Sequence, residues 1–111
     1  MIMAAQLITI SWRDIPAQVN AQAGRTRAQA PLDGRFQRAI DRAAMVAGLT
    51  NAHDYVKEWR REARPLEGDL EAAARLEADR IEAAYDEPRL RALAEAGGLL
   101  SALDGETSES R

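Results

Sequence analysis

Hydrophobic and polar residues alternate near the start of the chain, which is the pattern of half-buried β-strands. From residue 6 to residue 12, isoleucine and tryptophan take one face, and leucine, threonine and serine take the other. Pro16 fixes its own φ angle and disfavours helix at Ile15, so residues 13–16 are predicted to form a turn. Alanine and valine then alternate with glutamine and asparagine over residues 17–23. These segments predict two strands paired as a β-hairpin.

The alternation changes phase at Gly24. Beyond this glycine, Arg25 and Arg27 take the positions where the pattern had placed apolar side chains. A bulge or a turn at Gly24 would produce such a slip.

Helical spacing replaces alternation after Asp33, which is a suitable N-cap residue. Apolar residues from Phe36 onward recur every three or four positions, and they predict a helix over residues 34–47 that ends at Gly48. A second helix is predicted to follow Asp69. A third, shorter helix begins at Pro88 and ends at the glycine pair of residues 97 and 98.

The segment "TNAHDYVKEWRREA" fits both a helical and a strand period. We interpret it as a helical turn over residues 51–54 followed by a third strand over residues 55–61, because a two-stranded hairpin alone is marginally stable. The prediction is an α+β domain over residues 1–100. It contains an antiparallel sheet of two or three strands covered by one helix, with two further C-terminal helices. Residues 101–111 are predicted to form a disordered acidic tail.

Composition narrows the possible chemistry. A chain of 111 residues is long enough for one modest core, and its lack of cysteine excludes disulfides, thiolate metal sites and thiol nucleophiles. The N-terminus lacks the basic and apolar regions of a signal peptide, and no apolar stretch is long enough to cross a membrane. We therefore expect a cytoplasmic protein with no membrane partner.

Charge is divided unevenly along the chain. Residues 13–64 carry 10 Lys and Arg against 6 Asp and Glu (+4), whereas residues 65–111 carry 5 against 12 (−7), which together give the net charge of −3. Two complementary halves packed on each other would show this division, and so would a cationic binding face backed by an acidic helix. The first interpretation is the simpler one.

Catalytic and nucleic-acid functions have little support in the sequence. His53 is the only histidine, so a zinc site would need an unusual set of carboxylates beside it, and a nucleophile-base pair would have to join it to Ser11, Thr9 or a distant hydroxyl. Neither spacing is suggestive. Asp14, Asp41 and Asp54 could converge for acid-base work, but each is more simply a turn or helix-surface residue. A pI near 5.2 and 5% aromatic residues argue against nucleic acid. We predict no catalytic residue, no metal ligand and no cofactor.

Four separated blocks, "ITISWRDIPAQV", "GRTRAQ", "RFQRAIDRAAMVAG" and "YVKEWRR", resemble the small bacterial "virulence factor" domain family, whose domain also occurs in conserved virulence factor C-like proteins. The resemblance implies an accessory module. Similar domains are fused to iron-sulfur-scaffold-like domains, and free-standing members accompany one-carbon and corrinoid methyltransferase proteins. Because this chain has no cysteine, any cluster, flavin or corrinoid would belong to its partner.

The leading hypothesis is a non-catalytic accessory subunit that contacts a larger corrinoid- or folate-dependent enzyme, or an enzyme of iron-sulfur metabolism. The alternative is a domain, or an enzyme subunit, that binds a small folate-like or phosphorylated anion through arginine side chains. The candidate contact residues for either function are Trp12, Arg13, Asp14, Arg25, Arg27, Asp41, Arg42, Trp59 and Arg60.

Two finer expectations concern this candidate set. Trp59 should anchor the core or an interface, because its large apolar area favours burial. Asp14 should pair with an arginine, for which Arg13, Arg27 and Arg42 are the candidates, and so fix the turn that follows Trp12.

Overall fold

The computed structural model describes residues 5–102, which form an α+β domain with one antiparallel sheet. The strands lie in the order β3-β2-β1-β4. Their bounds are β1 Gln6–Trp12, β2 Ile15–Ala23, β3 Thr26–Pro31 and β4 Trp59–Pro65. The α+β prediction is confirmed, but the sheet has four strands, so the prediction of two or three was too low.

Strand β3 accounts for the phase change at Gly24. This glycine has a φ of 60°, which side-chain-bearing residues rarely adopt, and Ala23 pairs with Thr26 across the turn. The change of phase is therefore a tight hairpin turn that reverses the chain. The sequence did not identify β3 as a strand, because its residues are small or polar. Such residues suffice at the edge of a sheet, where a strand needs little apolar surface.

Strand β4 begins later than the sequence predicted. The Asn51 side chain accepts a hydrogen bond from the Asp54 amide, and helix α2 then runs over Ala52–Val56. Tyr55, predicted as the first residue of the strand, is therefore helical. The strand starts at Trp59, which pairs with Trp12 at the end of β1.

Three longer helices complete the domain: α1 Gly34–Ala47, α3 Leu70–Ala84 and α4 Glu87–Glu95. The predicted bounds of α1 are confirmed, with the Asp33 side chain accepting from the Arg35 amide and Gly48 at a φ of 75°. The prediction of a single covering helix is wrong. Helix α3 packs on β2 and β3, whereas α1 and α4 pack on each other and on β2.

The core lies between the helices and one face of the sheet. Leu7, Val19, Ala21 and Ala30 share that face by register and join the buried cluster of helical side chains. Helix α3 contributes small residues such as Ala78, which allow it to approach β2 and β3 closely. Because α3 covers β2 and β3, the same face of β1 and β4 remains uncovered by it.

A short helical segment over residues 100–102 ends the part of the chain that the structure describes. The rest of the predicted acidic tail, residues 103–111, lies outside the described residues. No helix within residues 5–102 combines the length and apolar character needed to span a bilayer.

Candidate functional site

A groove lies between α3 and the part of the sheet that α3 leaves uncovered. We call it the β4–α3 groove; its volume is about 780 Å³. Leu7, Thr9 and Ser11 of β1 contribute to its wall from one face of the sheet, and Ile81, Ala84 and Tyr85 contribute from α3. The remaining lining residues are Arg13, Asp14, Pro16, Arg60, Arg61, Glu62, Ala63, Arg64, Glu77, Arg80, Arg89 and Leu100.

The groove concentrates positive charge in a chain whose net charge is −3. Six arginines line it against the three carboxylates Asp14, Glu62 and Glu77. Three of the arginines come from β4, where Arg60 and Arg64 share a face of the strand because they are an even number of residues apart. This excess of guanidinium groups favours anionic ligands.

The turn between β1 and β2 forms one end of the groove. Arg13 has a φ of 52°, an uncommon conformation for a residue with a side chain. Its guanidinium donates at 2.9 Å to a Glu58 carboxylate oxygen and at 3.0 Å to the Gly97 carbonyl. Its backbone amide donates to the Glu58 carbonyl at 3.0 Å. These bonds hold a conformation that glycine would adopt more readily.

Asp14 links that turn to β4 and to the C-terminal segment. One carboxylate oxygen accepts from Arg60 Nη1 at 3.0 Å, and the other accepts from the Leu100 amide at 2.8 Å. The Asp14 amide donates to the Gly98 carbonyl at 2.8 Å. The expectation that Asp14 pairs with an arginine is confirmed, but the partner is Arg60 and none of the three expected candidates. Pairing of β1 with β4 sets Arg60 opposite Ser11, two residues before the turn begins at Arg13.

Trp12 lies beneath this end of the groove and is 0% exposed. Its indole Nε1 donates at 2.8 Å to the Tyr55 carbonyl, and its ring stacks on Tyr55 with centroids 5.5 Å apart. Trp59 is only half-buried and meets Tyr55 edge to face. Trp12 therefore supports the site from inside the core, and Trp59 is the tryptophan that reaches solvent.

Glu77 is the carboxylate held most closely by the groove arginines. Its side chain is 8% exposed and accepts from Arg64 Nη2 at 2.6 Å and from Arg80 Nε at 3.0 Å. The hydrogen bonds from Arg80, aided by the nearby charge of Arg64, hold the pKa of Glu77 below its ordinary value despite the opposing effect of burial. Glu77 is thus ionised at neutral pH and joins α3 to β4.

The lowered pKa of Glu77 predicts a loss of stability in acid. A carboxylate whose pKa is lower in the folded than in the unfolded protein stabilises the fold above the unfolded pKa of about 4.3, and this contribution disappears as the pH falls through the folded pKa. Thermal melts of the wild type and of Glu77→Gln should therefore show a difference in midpoint that is full at pH 7 and shrinks below about pH 4. A difference that stays constant down to pH 2 would contradict this role.

The far end of the groove is built around the C-terminus of α3. The Arg89 guanidinium lies 4.7 Å from the Tyr85 ring centroid, and the ring also meets Phe36 edge to face. Arg35 Nη2 donates to the carbonyls of Glu82 and Tyr85 at 2.8 Å and 3.1 Å. These contacts fix Tyr85 and place an exposed arginine beside it.

Four of the candidate residues lie elsewhere. Arg25 and Arg27 are exposed at the β2–β3 turn, at the opposite end of the sheet from Trp12. Asp41 lies on the exposed face of α1 and accepts from Gln37 at 2.9 Å. Arg42 pairs with Glu95 of α4 at 2.7 Å, and this pairing raises the pKa of Arg42. The structure brings only Arg13, Asp14 and Arg60 together in the groove, above Trp12 and beside Trp59.

The groove arginines Arg61, Arg64, Arg80 and Arg89, together with Glu77, were not among the candidates. The spacing of Glu77 and Arg80 on α3 was a detectable signal of an ion pair, because residues three apart in a helix are neighbours. Arg60 and Arg64 share a face of β4 because they are an even number of residues apart. This shared face was missed because the predicted strand ended at residue 61, before Arg64.

The groups in the groove are suited to binding. Within residues 5–102, no cluster of three or more His, Cys, Asp and Glu side chains could hold a metal ion. The single histidine, His53, is exposed on α2 and does not line the groove. Guanidinium groups and the hydroxyl groups of Thr9 and Ser11 can donate hydrogen bonds to a carboxylate or phosphate.

Comparison with known proteins adds one finding. A family model described as "Virulence factor" matches residues 10–94, which include the whole groove except Leu7, Thr9 and Leu100. No curated protein and no solved structure gives a match.

Proposed function

The chain belongs to the virulence factor family, and on this premise we propose that it is a non-catalytic accessory subunit that binds an acidic surface of a larger partner protein through the β4–α3 groove. The observation that carries the proposal is the concentration of six arginines around one groove of an acidic protein. Complementary charge steers association and selects the partner.

The resident ion pairs support a binding role because they order the arginines in advance. Arg60 is held by Asp14, and Arg64 and Arg80 are held by Glu77. Arg60, Arg64 and Arg80 nevertheless remain more than half exposed. A guanidinium has five N–H donors, so an arginine held by one carboxylate can still donate to another anion. Ordered side chains also lose less entropy when a partner binds.

The resemblance of the sequence to accessory modules of one-carbon and corrinoid metabolism leads us to propose an enzyme of that kind as the partner. The chemistry, and any corrinoid, folate or iron-sulfur cofactor, would belong to that enzyme. The present chain would contribute recognition and orientation.

A small anion is the second candidate ligand. The groove volume of about 780 Å³ falls in the range of small-molecule sites, and the hydroxyl-bearing residues Thr9 and Ser11 contribute to its lining. A phosphorylated or folate-like molecule would be held by the same arginines. Calorimetric titration with inorganic phosphate and with a short poly-glutamate peptide separates the candidates, because only a site for an extended acidic surface should prefer the peptide.

Binding of the peptide should depend on the groove arginines. We expect Arg64→Ala and Arg89→Ala each to weaken the affinity for a labelled poly-glutamate peptide about threefold to tenfold, because each removes one charge at the rim of the site. The matched control is Arg38→Ala, since Arg38 is an exposed arginine on α1 that does not line this groove. Equal weakening by all three variants would show charge attraction without a defined site and would contradict the proposal.

A further inference from the structure

Strand β4 is an edge strand whose outer side is accessible. It pairs with β1 over seven residue pairs, from Trp12↔Trp59 to Gln6↔Pro65, and among the described residues no strand pairs with its other edge. Residues 60–65 are all exposed, and the helices pack mainly on β2 and β3. Such an edge carries backbone N–H and C=O groups that can pair with a further strand.

The lining of the β4–α3 groove includes this edge. Residues 60–64 of β4 all line the groove, although successive side chains of a strand point to opposite faces. Both faces of a strand can border one groove only where the groove reaches around the strand's free edge. A ligand in the groove therefore has access to the backbone of β4 as well as to its arginines.

We propose that the partner adds an extended acidic segment to β4 as a fifth strand of the sheet. This inference rests on the proposed function and specifies how the groove is used. Backbone hydrogen bonds to β4 would provide much of the affinity, and side chains at alternate positions would provide specificity. An added strand would lie beside Arg60 and Arg64, with Arg80 of α3 and Arg89 of α4 bordering the same groove.

The charges of β4 define which segment fits. On the groove face, Arg60, Glu62 and Arg64 alternate with Arg61 and Ala63 on the other face. Oppositely charged residues directly across a sheet are favourable, so acidic side chains should lie opposite Arg60, Arg61 and Arg64. A basic or neutral polar side chain should lie opposite Glu62.

A second copy of this chain fits the edge less well. Residues 59–65 contain three arginines and one glutamate, which gives each β4 a net charge of +2. Two such strands would bring like net charges together, whereas an acidic segment brings the opposite sign. Dimerisation is therefore a competing outcome to be measured directly.

The test uses fluorescence anisotropy with the full chain and three labelled peptides of equal length. The first carries glutamate at the positions opposite Arg60, Arg61 and Arg64, glutamine opposite Glu62 and valine elsewhere. The second has the valine opposite Ala63 replaced by proline, and the third has lysine in place of every glutamate. Proline leaves the charge unchanged but removes a backbone donor and disfavours a paired strand. We expect the first peptide to bind, the second to bind at least about tenfold more weakly, and the third not to bind.

The outcomes distinguish the mode of binding from the proposed function. Equal binding of the first two peptides would overturn strand addition while leaving an acidic-partner groove intact. Binding of none of them, together with no binding of poly-glutamate, would overturn both. A concentration-dependent dimer in sedimentation that Arg61→Glu strengthens, because this change removes the like net charge of two β4 strands, would assign β4 to a second copy and overturn the inference. Slowed amide hydrogen exchange at alternate residues of β4 with the first peptide alone would support it.

Discussion

Replacing Trp12 by alanine is expected to lower the free energy of unfolding by about 3 to 5 kcal/mol. The indole is 0% exposed and is the largest fully buried side chain, so the substitution removes more packing than any other truncation to alanine in the described domain. It also leaves the Tyr55 carbonyl without the 2.8 Å bond from Nε1. Urea denaturation followed by circular dichroism measures the loss.

Two variants separate the contributions to this effect. Trp12→Phe keeps an aromatic ring but removes the hydrogen bond, and it should cost less than the alanine substitution. Trp59→Ala is the positional control, because Trp59 faces Trp12 across the β1–β4 pair yet is only half-buried. If Trp59→Ala lowers the free energy of unfolding as much as Trp12→Ala does, the conclusion that Trp12 is the main core tryptophan is wrong.

Replacing Asp14 by alanine should give the second large effect, a loss of about 1 to 3 kcal/mol. The side chain accepts bonds from the Leu100 amide and Arg60, so its removal releases the C-terminal segment from the turn. The folded variant should still bind a poly-glutamate peptide, because the loss of Asp14 removes a negative charge from the groove. Differential scanning calorimetry and a peptide titration on the same sample test both parts.

The conservative variant Asp14→Asn sharpens the result. Its amide oxygen can still accept from the Leu100 amide, so it should retain part of the stability that Asp14→Ala loses. The alternative is that the turn is mainly a contact surface, since Arg13 and Asp14 are among the candidate contact residues. An unchanged melting midpoint together with weakened peptide binding would support that alternative.

The sequence correctly predicted the helices and strands that are determined by residues close together in the chain. The Asp33 cap, the apolar spacing from Phe36 and the stop at Gly48 placed α1 over residues 34–47, as the structure has it. The alternation around Pro16 similarly indicated the first hairpin, which pairs β1 with β2. In each of these cases the residues that determine the structure are neighbours in the sequence.

Long-range pairing explains what could not be predicted. Strand β4 has six exposed residues and no apolar alternation, and its place in the sheet depends on β1, about fifty positions earlier. Its register sets Arg60 beside Asp14, which no spacing in the sequence reveals. The groove itself exists because α3 covers β2 and β3 and leaves β4 open, an outcome of tertiary packing.

The turn from Trp12 to Asp14 connects stability with the proposed site. Trp12 fills the core, while Arg13 and Asp14 bond to Glu58, Arg60 and the segment from Gly97 to Leu100. One short turn thus joins the hairpin, β4 and the C-terminal segment at one end of the groove. Trp12 and the two charged residues that follow it in the sequence serve this junction.

The central claim is that the β4–α3 groove is the binding surface. It is tested most directly by titrating the ¹⁵N-labelled protein with a poly-glutamate peptide and mapping the amide chemical-shift changes. We expect the changes to concentrate at residues 59–64, at Thr9 and Ser11, and on the side of α3 that carries Glu77 and Arg80. Changes concentrated on α1 and the β2–β3 turn, where Arg38, Arg42 and Arg25 are exposed, or no saturable change at all, would contradict the claim.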